Sequence, residues 1–179
     1  MSGDAREIVS QIYTAARVVL VVRGVGGRPW LRKVKGGPRV GPWLQADYEI
    51  VDQNEWKRSG PCLYLVGVSD GGVRYVGISR NRLKDRWRTS PPCDAETKER
   101  LPRNQLFHSQ CWKHLEDEMR SSPGSWYEVR VIAANELSQV LASVGSPLPE
   151  LTAEPDIVAA VETFIRRNRS DDLARWNAQ

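Results

Sequence analysis

Two charged residues stand where hydrophobic patterning alone would not put them. At about 100° per residue on a helical wheel, Glu162 falls just outside the apolar stripe of Val158, Val161 and Ile165, and Arg86 borders the face of Leu83 and Trp87. A carboxylate and a guanidinium on the margins of core-facing helices can converge beside a sheet, as a boundary salt bridge or as part of a reactive site. Tyr64 and Tyr75 sit on two strand-like runs close in sequence, where the bland reading is a stacked aromatic pair. Basic side chains gather twice. No acid occurs between Glu7 and Asp47, a stretch that carries Arg17, Arg23, Arg28, Arg32, Lys33, Lys35 and Arg39; a second cluster is Arg80, Arg82, Lys84, Arg86 and Arg88. Each cluster reads either as a solvated surface or as the electrostatic footprint of a protein that meets phosphates.

A third constellation, His108-x-x-Cys111-x-x-His114 with Cys93 upstream, offers ligand types that suit zinc. Positions three and six apart on a helix spread over about 120°, so these side chains would barely converge. The competing reading is a buried cysteine between two structural histidines, since His108 shares a face with Cys111, Trp112 and Leu115.

The elements that must position these groups follow from periodicity. Ile8, Ile12 and Ala15/Ala16 predict an amphipathic helix from about Asp4 to Arg17, before the apolar run Val18 to Val22. Arg23 to Pro42, rich in glycine, proline and arginine, cannot be a continuous helix and reads as a loop or irregular hairpin. Leu63-Tyr64-Leu65-Val66 and Val73-Arg74-Tyr75-Val76 flank Ser69-Asp70-Gly71-Gly72, a strong hairpin signal. Asn81 to Arg88 reads as a short basic helix that Pro91-Pro92 ends, and Asn104 to Arg120 as a second. Trp126 to Ala133 alternates as a strand, with Tyr127, Val129 and Val131 opposite Glu128, Arg130 and Ile132. Helices follow over about Glu136 to Val144 and Pro155 to Asn168, the last with a stripe of Ile157, Val158, Val161, Phe164 and Ile165. The order predicts an α+β fold with a small three-stranded antiparallel sheet flanked by helices.

With 179 residues, 40% hydrophobic and 27% charged, the chain can bury one good core. No apolar run approaches the roughly 20 residues of a membrane span, and the N-terminus does not read as a signal peptide. Cys62, Cys93 and Cys111 form an odd, widely spaced set without a Cys-x-x-Cys pair, which speaks against a disulfide framework and fits a reducing compartment. The expected setting is cytoplasmic, and the net charge of +4 is compatible with nucleic acid as partner.

From Pro61 onward the sequence resembles the GIY-YIG nuclease family. Cys62-Leu63-Tyr64 stands for the first motif in degenerate form, and Tyr75-Val76-Gly77 for the second. Arg86 matches the arginine of the first helix, Glu162 the glutamate of the late helix, and Trp176-Asn177 the terminal asparagine element. The resemblance covers Pro61 to Asn177 and implies a metal-dependent DNA endonuclease that leaves 5′-phosphate and 3′-hydroxyl ends. Many relatives carry a histidine or tyrosine a turn beyond the helix arginine, whereas here Ser90 stands four residues on; His108 or His114 of the following helix would then fold back to the site, with His108 the supporting candidate.

On that resemblance, Glu162 would hold one Mg²⁺ (or Mn²⁺) per active site together with waters and a phosphate oxygen. Arg86 would pair with a non-bridging phosphate oxygen. Tyr64 would position or deprotonate the attacking water with help from Tyr75, although a phenol of pKa about 10 needs a nearby cation for base work. Gly77 would allow close approach of backbone or substrate. Residues 61–179 form the expected nuclease domain. Residues 1–60, an N-terminal helix plus a basic extension, supply expected DNA contacts through Arg28, Arg32, Lys33, Lys35 and Arg39, with Arg80, Arg82, Lys84 and Arg88 adding the second cluster. A compact chain with built-in recognition suggests a type II restriction-type enzyme, and a two-fold homodimer would suit a palindromic site. The alternatives are a structure-specific repair or mobile-element nuclease, a non-catalytic nucleic-acid-binding module, and a small protein-interaction domain.

Overall fold

A computed structural model describes residues 5–34, 37–68, 72–87, 111–145, 148 and 153–177, without the side chains of 26–34, 37–46, 112 and 113. The chain order is α1 (Ala5–Ala15), β1 (Arg17–Val34), β2 (Gly37–Ile50), α2 (Gln53–Lys57), β3 (Cys62–Val68), β4 (Val73–Ser79), α3 (Leu83–Trp87), α4 (Trp112–Ser121), β5 (Tyr127–Ala133), α5 (Ala134–Ser143) and α6 (Glu154–Arg167). The α+β class expected from the sequence is present.

The sheet, however, has five strands rather than three, in the order β2-β1-β5-β3-β4 with every neighbouring pair antiparallel. The predicted trio β3, β4 and β5 is its right half. β1 pairs through Arg17 to Val22 with the other edge of β5, and Val19, Leu20 and Val22 of its apolar run are fully buried. Beyond Val22, β1 pairs with β2 alone, out to Val34 opposite Gly37. This explains how a segment with Pro29, Pro38 and Pro42 can be strand. Proline cannot donate to a ladder, and edge strands leave half their donors unpaired. The register shift between Val22 and Gly24 marks the point where the hairpin leaves the body of the sheet.

Two apolar clusters sandwich the sheet. On one face α1, α5 and α6 bury Ile8, Ile12, Leu137, Val158, Val161 and Ile165 against Leu63, Leu65 and Val76. On the other, α2, α3 and α4 bury Trp56, Leu83, Trp87 and Leu115 against Leu20, Tyr64, Val66, Val129 and Tyr127. β5 divides as its alternation predicts: Tyr127, Val129 and Val131 join the second cluster, while Ile132 joins the first and Arg130 lies over the Tyr13 ring at 4.5 Å.

Two local devices fix α2 and tie it and α5 to the sheet. Asp52 caps α2, its Oδ1 accepting from the amides of Asn54 (2.8 Å) and Glu55 (3.0 Å). Arg17 then joins Glu55 (2.7 Å) and Glu136 (2.6 Å), clasping α2 and α5 to the start of β1. Among the described residues no helix is long and apolar enough to cross a membrane.

Candidate active site

β4 is the free edge of the sheet, and α3, α6 and the C-terminal segment converge on it. The C-terminal segment runs along that edge. The amide of Ala174 donates to Val73 O (2.9 Å) and that of Trp176 to Arg74 O (3.0 Å). Asn177 then replaces a strand: its Oδ1 accepts from Val76 N (2.8 Å) and its Nδ2 donates to Val76 O (2.7 Å), all buried. An edge strand with unpaired backbone groups invites aggregation, and this amide closes it between Tyr75 and Gly77.

Tyr64 of β3 and Tyr75 of β4 lie on the same face with ring centroids 6.1 Å apart at 28°, and Trp87 of α3 meets Tyr64 edge-on at 5.8 Å and 88°. Tyr64 and Trp87 are fully buried. The Tyr64 ring also lies flat against Gly77, its register partner across the hairpin. A Cβ there would stand 2.5 Å from Cζ of that ring. Only glycine leaves room for the ring.

Glu162 emerges from α6 one position past the buried Val161 and is partly buried. Its carboxyl is pushed above the ordinary range by burial, with Arg166 and Arg86 pulling it back. Those two arginines come from different elements, α6 and α3, so the carboxylate lies within the fields of both. Tyr75 feels Glu162 in turn. The four residues singled out in the sequence therefore share one neighbourhood: Tyr64 stacks on Tyr75, Tyr75 feels Glu162, and Glu162 feels Arg86. The simple salt bridge is not formed, because among the described residues neither Glu162 nor Arg86 makes an ion pair. Arg86 Nε is buried without a hydrogen-bond partner among those residues, a costly state for a guanidinium donor.

Tyr75, expected to assist or orient the attacking water, has a phenol pushed toward its protonated form. Burial raises its pKa strongly, with further upward pushes from Tyr64, Cys111 and Glu162. This favours the protonated phenol, which suits orienting a ligand.

A divalent cation at Glu162 would have that carboxylate as its one protein ligand among the described residues. Glu162 accepts no hydrogen bond from the described residues, and no group of three or more His, Cys, Asp or Glu among them could form a closed protein cage. An ion that keeps most of its water and takes a single carboxylate matches such a site. Of the zinc constellation, Cys111 is buried and the His114 ring stacks on Trp176 at 5.8 Å and 12°. His108 and Cys93 lie outside the described residues, as do Lys35 and Arg88. Arg28, Arg32 and Lys33 fall on β1 and Arg39 on β2, with Arg32 in register with Arg39, but their side chains too are outside the described set. Arg82 is engaged with Asp85 at 2.9 Å, whereas Arg80 and Lys84 make no ion pair among the described residues.

Sequence reasoning missed Arg166, Arg167 and Arg169 at the end of α6, although the signal was there: no acid occurs from Thr163 through Ser170. Compared with known protein families, with curated proteins and with solved structures, the chain matches none of them.

Proposed function

We propose that the chain is a metal-dependent DNA endonuclease of GIY-YIG type, hydrolysing phosphodiesters to 5′-phosphate and 3′-hydroxyl ends, and that it acts as a type II restriction-type enzyme. The observation that supports this best is the unpaired state of Glu162 and Arg86. Two opposite charges sit within each other's field beside stacked tyrosines, yet each is left open to a third party. A phosphodiester with a divalent ion satisfies both.

In this reading Glu162 holds one Mg²⁺ or Mn²⁺, whose charge would offset that of the phosphate. Arg86 directs its guanidinium at a non-bridging oxygen, where negative charge grows as water bonds to phosphorus and the bond to the 3′ oxygen breaks. Tyr64 positions or deprotonates the attacking water with Tyr75 orienting it, and the proton that the water loses is balanced by the one that the departing 3′ oxygen gains. Trp87 and Gly77 fix the Tyr64 ring, and Asn177 fixes the β4 backbone between Tyr75 and Gly77. The long β1–β2 hairpin with Arg28, Arg32, Lys33 and Arg39 extends the basic surface for DNA, and a two-fold dimer would present one site to each strand of a palindrome.

Incubation of the purified protein with supercoiled plasmid and Mg²⁺ tests the reading. Wild type should nick or linearise the plasmid while Glu162→Ala and Arg86→Ala do not. Equal cleavage by all three, or none with any DNA, removes the enzymatic reading and leaves a nucleic-acid-binding module.

A further inference from the structure

Among the described residues, arginines remote from the site are mostly tied to carboxylates, as Arg6 is to Asp172, Arg74 and Arg175 to Glu118, and Arg130 to Glu128. At the end of α6 this rule fails. Arg166 and Arg167 are exposed and make no ion pair, and Arg169, just past the helix, donates only to the carbonyl of Asn177 at 3.4 Å. These three arginines and Thr163 line one concave surface. Cations in a last helical turn are favoured by the macrodipole, which accounts for Arg166 and Arg167. It does not account for Arg169 beyond the helix, nor for the hollow the residues share.

The hollow is placed with respect to Glu162. Thr163 follows it directly and Arg166 is one turn on, acting on its carboxyl from the α6 side as Arg86 does from the α3 side. We propose that Thr163, Arg166, Arg167 and Arg169 are a binding site for the DNA backbone, receiving phosphates that neighbour the scissile one on the side away from α3. The site rests on the nuclease reading and adds a residue set to it. A strand would cross the β4 edge to the hollow from Arg80, Lys84 and Arg86, which make no ion pair among the described residues, with Glu162 between. Guanidinium groups suit this work, since each offers two parallel donors to a phosphate.

The test is binding of a fluorescently labelled random-sequence duplex to the full chain, without divalent ions, across a salt series. Each lost phosphate contact lowers the slope of log K against log salt by about 0.9. Arg166→Gln/Arg167→Gln/Arg169→Gln should therefore lose roughly 2–3 units of slope and bind at least tenfold more weakly at low salt. The triple lysine variant should regain most of the slope, and Arg6→Gln should match wild type. Unchanged melting temperatures across the set exclude a folding defect. Wild-type slope and affinity in the triple glutamine variant overturn the site, as does a wild type with no salt-dependent binding. The two readings separate: a wild type that cuts plasmid while the triple variant binds normally leaves the nuclease standing and removes the hollow. A wild type that never cuts but loses slope in the variant does the reverse.

Discussion

The Tyr64 ring occupies the space that a side chain at Gly77 would need, the two residues facing each other across the β3–β4 hairpin. The glycine of the second motif thus serves the tyrosine of the first. Gly77→Ala should force the buried ring from its place against Trp87 and Tyr75, at an overpacking cost of about 1–3 kcal/mol. Chemical denaturation would show the loss, and nuclease activity should fall further than stability does, because the displaced ring carries the proposed water-binding hydroxyl.

Asn177 closes β4 by two hydrogen bonds to Val76. Asn177→Ala leaves a buried N–H and a buried C=O without partners, each worth about 1–3 kcal/mol. The variant should unfold at lower denaturant, and amide exchange at Val76 should quicken relative to β5. Asn177→Asp should be no rescue, since a carboxylate has no N–H to donate to Val76 O.

Much of this arrangement was legible in the sequence, and the reasons for the remainder are physical. The hairpin strands, β5 and α6 announce themselves because period two and period 3.6 each dominate a short window there. Glu162 and Arg86 stood out because they sit one position off an apolar face. The left half of the sheet did not, because Arg23 to Pro42 carries glycines and prolines that normally break strands, and only pairing at an edge makes them tolerable. The upward push on the Tyr75 phenol was not legible either. It comes first from burial and then from Tyr64, Cys111 and Glu162, which lie 11, 36 and 87 positions away in the chain.

The raised pKa of Glu162 has a definite sign in stability. A carboxyl that holds its proton more tightly when folded favours the native state at low pH, and this advantage is lost as pH rises from the ordinary value of about 4.3 through the raised one. In the metal-free protein Glu162→Gln should therefore leave the melting temperature unchanged below about pH 4 and raise it at neutral pH. A melting temperature that falls at neutral pH would mean the carboxylate has a stabilising partner, against the geometry. Mg²⁺ should raise the melting temperature of wild type and not of the variant.

Arg86 should resist conservative replacement. Lysine keeps the charge but loses the planar pair of donors, so Arg86→Lys should retain DNA binding within a few-fold while cleavage at saturating DNA drops about 10²–10³-fold. Single-turnover rates measured beside binding isotherms would separate the two effects.

The central claim is that Glu162 serves hydrolysis of DNA with a divalent ion. The most direct measurement follows supercoiled plasmid with Mg²⁺ for wild type and Glu162→Gln, then treats the products with DNA ligase without prior phosphorylation. The account predicts cleavage by wild type, products that ligase reseals because they carry 5′-phosphate and 3′-hydroxyl ends, and a loss of at least about 10²-fold in the variant. Cleavage that survives Glu162→Gln, cleavage that persists in EDTA, or ends that ligase refuses would contradict it.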